Sequence, residues 1–389
     1  MSGQTTKRAA AKCHLCGAVH KEIDVHLLPS GVTSDCQPWS EEVRIFVCPN
    51  CHAVQAPVDD AWRAQAEHIY RSYDTYAAAG GQEQKVMAGD GAATEARSRV
   101  LLGWLASLGL LASRGNLLDV GCGRGAFLQE FGREFPEWDL HGTEFDDRNL
   151  EMLKRLPGFR ELQSGNFESL HGEFDLISML HVLEHIENPA ACLTALRQRA
   201  AKGALLLVQV PDWSGNPFAL AIADHATHFT PAVLAGVARE AGWELVAPVA
   251  NVVPKELTLL ARSSSPGVRE EGEGKDAAGL LESRLSWLRD AQDRACSLRA
   301  NAESFGIFGT AVAGTWLAGS LRGRVDFFVD EDANRVGGVH LGVPIVSPAM
   351  VPTNSDVFVG LAPVVSARLV DKLNGGHSRY HGVPSLAGL

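Results

Sequence analysis

Long apolar runs are missing from this 389-residue chain: none reaches the roughly 18 to 20 residues that a membrane-spanning helix needs. An export leader is not expected either. Met1 to Lys12 is polar and lacks a signal peptide's apolar core, so a cytoplasmic location is the expectation. Positive charge is short: 35 Lys and Arg stand against 46 Asp and Glu, a formal net charge of -11. That balance disfavours bare nucleic acid, whose binding relies on clustered cations meeting phosphates. No segment of 20 to 50 residues recurs, which argues against a solenoid.

What remains is the composition of a globular protein, 46% apolar and 21% charged, long enough for two or three cores. Its character changes three times. Residues 1–60 are rich in Cys and His, and residues 61–262 alternate strand and helix patterns. Residues 263–279, Ser, Gly and charge with almost nothing apolar, read as a solvated linker. Residues 280–389 resume the alternation after a helix marked by Leu280, Leu281, Leu285, Leu288 and Ala291.

Eight cysteines are present, and four of them form two C-x-x-C pairs, Cys13/Cys16 and Cys48/Cys51, separated by 31 residues. Two such knuckles can converge four thiolates on one zinc ion. Zinc would then supply folding energy that a 60-residue module cannot draw from its own core, and four thiolates leave no open position for catalysis. The alternatives are a redox dithiol or small core residues, with His14, His20, His52 and Cys36 as substitute ligands.

The central region opens on Asn116-Leu-Leu-Asp-Val-Gly-Cys-Gly-Arg-Gly-Ala-Phe-Leu128, an apolar strand, a turn with Gly121, Cys122, Gly123 and Gly125, and a helix starting at Ala126. Glycines let backbone approach a ligand closely. The spacing is G-x-G-x-G rather than the G-x-G-x-x-G of dinucleotide loops that seat a pyrophosphate. Asp119 beside the turn suits an ammonium group better than a phosphate. Glu144, nineteen residues past Gly125, falls at the end of a second strand, where a carboxylate accepts both ribose hydroxyl protons. Asn166 and Phe167 follow a third strand and suit adenine. Phe174 to His181 reads as a fourth strand, and Val182 to Ile186 as the start of the next helix. Together these features point to S-adenosylmethionine, which carries an ammonium, a ribose and an adenine but no phosphate.

The segments Leu-Leu-Asp-Val-Gly-Cys-Gly-Arg-Gly and His181-Val-Leu-Glu-His-Ile186 resemble the class I methyltransferases over roughly Leu101 to Arg262. The whole chain looks like the three-module sugar C-methyltransferases, with an N-terminal zinc knuckle, a central methyltransferase domain and a C-terminal Rossmann-like domain. The fold class the resemblance implies is α/β: a class I Rossmann-like sheet (61–262) between a zinc-binding module (1–60) and a second Rossmann-like domain (280–389). In that family a tyrosine-rich segment and a Glu-His-x-x-Tyr-Phe-Ser motif supply catalytic side chains. The matching stretches are Tyr73-Asp-Thr-Tyr76 and Asp224-His-Ala-Thr-His-Phe-Thr230, with Asp224 in place of Glu and His228 in place of Tyr.

Methyl transfer from a sulfonium asks the enzyme to position the acceptor and remove its proton. Histidine, with a pKa near 6.5, is the natural base. His225 is the first candidate and His181, also beside the cofactor, the second. Tyr76 and His228 could contact the acceptor, and Glu184 could orient an imidazole or a substrate hydroxyl. The C-terminal glycines Gly306, Gly309 and Gly314 and the acid Asp330, sixteen residues on, keep a strand-turn-helix order without a dinucleotide fingerprint. The expected substrate is a nucleotide sugar or surface-glycan residue methylated at carbon or oxygen. Another small-molecule or lipid-linked acceptor, or an inactive scaffold in glycan assembly, are the alternatives.

Overall fold

The computed structural model of the chain describes every residue except 1–4, 72, 74–82, 84, 89–92, 166, 269–275, 322–323, 375 and 387–389. Its centre is a seven-stranded sheet in the order Phe159–Ser164, Trp138–Glu144, Gly115–Val120, Phe174–Leu180, Ala200–Pro211, Glu256–Ser263, Trp243–Leu245. Six of the strands run in one direction, and Glu256–Ser263 alone runs against them, pairing antiparallel with both of its neighbours. Parallel strands are covered on both faces, so their sequences read as continuous apolar runs. Leu205 to Val208 shows this, each residue at most 3% exposed. Successive strands leave Gly115–Val120 in opposite directions, which opens a crevice at the carboxyl ends of the strands.

Val182 to Ile186 does not open a long helix. It forms a short 3-10 turn, Leu183–His185, and the next helix begins at Pro189 behind an Asn188 cap. Proline lacks the N–H that a continuing helix would need and is suited to a first turn.

The N-terminal residues form an antiparallel sheet in the order Thr5–Lys12, Val19–Leu28, Val43–Val47, Val54–Gln55, Thr227–His228. Its last strand comes from the central region. The module is therefore sewn to the segment that carries His225 and His228, with Thr227 opposite Gln55 and His228 opposite Val54.

Beyond the helix Ala277–Asn301 lies a six-stranded sheet, Val339–His340, Val343–Val346, Phe327–Val329, Phe305–Phe308, Asp356–Val359, Arg379–Gly382, parallel except for the first strand. One apolar cluster joins all three parts: Val32 and Ile45, then Trp213 and Phe218, then Leu281, Leu285 and Trp316. The Trp316 indole donates to the Ser30 carbonyl at 3.2 Å. No helix among the described residues is long and apolar enough to cross a membrane.

Candidate functional site

The four cysteines sit on two congruent turns. Cys13 N donates to Ala18 O and Gly17 N to Cys13 O; likewise Cys48 N donates to Ala53 O and His52 N to Cys48 O. Gly17 and His52 occupy the same place in each turn and both have positive φ, 74° and 58°. The Cys13 and Cys51 sulfurs are 3.5 Å apart, those of Cys16 and Cys48 3.7 Å, and all four lie within 4.8 Å of one another. Sulfurs about 2.3 Å from a tetrahedral zinc ion stand about 3.8 Å apart, so this donor set fits one. Hydrogen bonds from the Cys48 and Cys51 thiols hold the Cys13 thiol far below its ordinary range. His20 Nε2 is 3.5 Å from the Cys48 sulfur, whereas His14 Nε2 is engaged with Thr227 Oγ1 at 2.7 Å. Cys36 lies outside the cluster, its thiol pushed up to about 11 by burial.

At the central crevice Gly121, Gly123 and Gly125 have φ of 68°, 54° and 79°, the left-handed region that favours glycine. A Cβ on Gly121 would stand 2.5 Å from the Val182 side chain. Gly121 N and Cys122 N donate to Thr143 O, and Gly123 N donates to Glu144 Oε1 at 2.5 Å, so the turn and the acid are held together. Burial raises the Glu144 carboxyl above its ordinary value, and the Gly123 amide opposes that shift. The Cys122 side chain faces inward, 4% exposed, into space left by the missing Cβ of Gly142; only its backbone remains for a ligand. Asp119 is 3% exposed and accepts from Ser178 Oγ at 2.7 Å. Burial pushes its carboxyl up to about 7, with the Ser178 bond opposing. Phe167 opens a short 3-10 turn after the third strand. Asn166 and Tyr76 lie outside the described residues.

His181, directly after the fourth strand, has a φ of 57°, a strained conformation for a non-glycine residue and one that concentrates at functional sites. Its side chain is 24% exposed, with Nδ1 3.4 Å from Glu184 Oε1 and Nε2 3.2 Å from Glu256 Oε2. The approach to Glu256 lacks hydrogen-bond geometry. Burial, and next the Arg97 charge, push the imidazole well below its ordinary range, so it is neutral at physiological pH. Burial pushes Glu256 up to about 7 and Glu184 well above the usual carboxylate range. Among the described residues His181 Nε2, both Glu184 oxygens, Glu256 Oε2 and Arg97 Nε are buried without a hydrogen-bond partner.

His225 and His228 are each 3% exposed. Burial, then the neighbouring His185, lowers His225 well below its ordinary value, and burial takes His228 down to about 3. The His225 ring stands perpendicular to that of His185 at 4.8 Å. Asp224 accepts hydrogen bonds from Ser34 N at 2.9 Å and from Ser34 Oγ, so the N-terminal module grips this segment a second time. In the C-terminal sheet, by contrast, Asp330 accepts from Thr310 Oγ1 at 2.7 Å and pairs with Arg335 at 3.3 Å.

Residues 93–247 match a family model described as a methyltransferase domain. The chain is 28% identical over 169 residues to a ubiquinone biosynthesis O-methyltransferase of Ralstonia nicotianae, covering 37% of this chain and 68% of that relative. It is 29% identical over 105 residues to a trans-aconitate 2-methyltransferase of Pseudomonas paraeruginosa, 26% of this chain and 38% of that one. A solved magnesium protoporphyrin IX methyltransferase from Synechocystis, with bound S-adenosylmethionine, superposes with a TM-score of 0.33 at 16% identity, covering 43% of this chain and 78% of that one.

The chain carries a class I S-adenosylmethionine-dependent methyltransferase domain.

Within the methyltransferase domain the structure brings Gly121 to Gly125 together with Glu144, and His181 with Glu184, as their positions at strand ends imply. It also gathers residues that sequence reading missed. Glu256 opens an antiparallel strand and stands opposite Pro211, a register no local pattern reveals. Lys255 has a left-handed φ of 66°, and burial lowers its pKa beside Glu256, Arg97, Cys36 and Arg335. Arg97 begins the helix Arg97–Ser107 that precedes the first strand. The one sequence signal was the adjacent Lys255-Glu256 pair just after Pro254.

Proposed function

We propose that this methyltransferase acts on a carbohydrate-type acceptor, a nucleotide sugar or a surface-glycan residue, at carbon or oxygen, with a histidine as general base. The observation that carries the reading is the set of unpartnered polar atoms around His181: His181 Nε2, Glu184 Oε1 and Oε2, Glu256 Oε2 and Arg97 Nε. Buried polar groups cost free energy unless paired, so such a set suits a ligand with many hydroxyls. Arg97 and Lys255 add positive charge for an anionic group such as a phosphate.

In this reading S-adenosylmethionine rests on the Gly121–Gly125 turn and on the backbone of Cys122, with its ribose on Glu144, its adenine beside Asn166 and Phe167, and its ammonium near Asp119. His181, more exposed than His225 or His228, takes the acceptor proton. Tyr76 is assigned a contact with the acceptor. Zinc in the Cys13, Cys16, Cys48 and Cys51 cluster holds the N-terminal module, and the C-terminal Rossmann-like domain forms the opposite wall of the cleft.

A second reading, methylation of a small polycarboxylate, is favoured by the same Arg97 and Lys255 charges. Incubating the enzyme and isotope-labelled S-adenosylmethionine with a pool of nucleotide sugars and polycarboxylates separates the two by mass spectrometry. Label on a nucleotide sugar is the expected result; label on a carboxylate alone replaces the first reading by the second. Loss of deuterium from the acceptor carbon then distinguishes C- from O-methylation.

A further inference from the structure

Beside His181, the residues Glu184, His185 and His225 each bring one donor atom to within 4.8 Å of the other two. Glu184 is 1% exposed, and neither of its carboxylate oxygens has a hydrogen-bond partner among the described residues. A desolvated, unbonded carboxyl group either keeps its proton or is met by a cation, and a bound cation is what would ionise this one. His185 Nδ1 lies 3.0 Å from the Asp224 carbonyl oxygen and 3.0 Å from the Tyr70 hydroxyl. A carbonyl only accepts, so the His185 proton sits on Nδ1 and its lone pair on Nε2. Ligating histidines are commonly oriented in this way, by a second hydrogen bond to a carbonyl. His225 is 3% exposed on the segment that Ser34 and the N-terminal sheet hold in place. Ligands about 2.1 Å from one ion stand roughly 3 to 4 Å apart, a small contraction from the separations present here.

We propose that Glu184, His185 and His225 form a second metal site, for a first-row divalent transition ion. Two imidazoles and one carboxylate are the donor set such ions take, and they differ in kind from the four thiolates. Three protein ligands leave positions open for water or for an acceptor oxygen. The site goes beyond the acceptor reading: with Glu184 on an ion, His181 Nε2, Glu256 Oε2 and Arg97 Nε are the unpartnered atoms left to the acceptor. With His225 at the ion, His181 is the imidazole left to face the acceptor.

The test reads metal content and spectra rather than turnover. Protein purified with its thiolate-bound zinc is titrated with Co2+, and bound zinc and cobalt are counted after dialysis. The expected result is one cobalt per chain with zinc retained, giving weak visible ligand-field bands and no thiolate charge-transfer band. Glu184→Gln and His185→Ala should each lose that cobalt equivalent while keeping the thiolate-bound zinc and the thermal melting point. The proposal is overturned if wild-type protein takes up no cobalt, if cobalt enters only with loss of zinc and with thiolate charge transfer, or if both variants retain it.

Discussion

Two mostly parallel sheets in this chain share one plan, a first strand with neighbours added on both sides and a glycine turn at its carboxyl end, yet their turns are in opposite states. In the central sheet the acid that ends the second strand, Glu144, is bound by a backbone amide. In the C-terminal sheet the acid in the same place, Asp330, is consumed by Thr310 and Arg335. A Cβ on Gly314 would run into the Gly309 carbonyl oxygen, so that glycine serves the close packing of helix on turn. The same topology thus yields one crevice with an acid available to ribose hydroxyls and one whose acid is already neutralised. A strand-turn-helix with glycines tells where a ligand could sit; the partners of the acid tell whether one does.

The comparison can be broken from the outside first. If the N-terminal module matters only as a support for the His225 segment, breaking its four-cysteine cluster should abolish turnover while sparing the cofactor crevice. Structural zinc contributes on the order of 10 kcal/mol of folding free energy. Cys13→Ser with Cys48→Ser is therefore expected to melt the N-terminal strands by circular dichroism and to reduce methyl transfer below detection. S-adenosylmethionine affinity should stay within a few-fold of wild type, and a parallel loss of cofactor binding would contradict the separation.

Next in size is the base. His181→Ala is expected to lower kcat by roughly 100- to 10,000-fold, the range for losing a general base, with cofactor affinity nearly unchanged. Unaltered kcat would remove His181 from the mechanism and return that role to His225.

The acids give the most direct contrast. Hydrogen bonds to a charged group are worth about 1.5 to 3 kcal/mol each, so Glu144→Ala should weaken S-adenosylmethionine binding by about 100-fold in calorimetry. Asp330→Ala should leave it unchanged.

The smallest effect is a pH dependence. Burial holds Asp119 at about 7, above its value in the unfolded chain, so the free protein keeps it protonated below that pH. A cationic cofactor favours the ionised form. Affinity should therefore be level above about pH 7 and fall by up to about tenfold per pH unit below it. Asp119→Asn should flatten the profile; a slope that survives the change would assign it to another group.

How far the sequence reached follows from the range of each interaction. The cysteine knuckles, the glycine turn and Glu144 were legible because each is a local device: a tight turn or the end of an apolar run. The expected helix at Val182 was misread because the apolar pattern runs on, while Asn188 and Pro189 set the start of the helix later. Glu256 could not be found locally, since its place comes from antiparallel pairing with Ala200–Pro211. The grip of Ser34 on Asp224 spans 190 positions, and the strand Thr227–His228 completes a sheet begun at the other end of the chain. Residues 1–60 look separable in sequence, yet their sheet is finished by the methyltransferase domain.

Hydrogen exchange with and without S-adenosylmethionine tests the central contrast most directly. The account predicts new amide protection in residues 119–125 and around Glu144, with residues 306–314 unchanged. Protection appearing at 306–314 and not at 119–125 would contradict it.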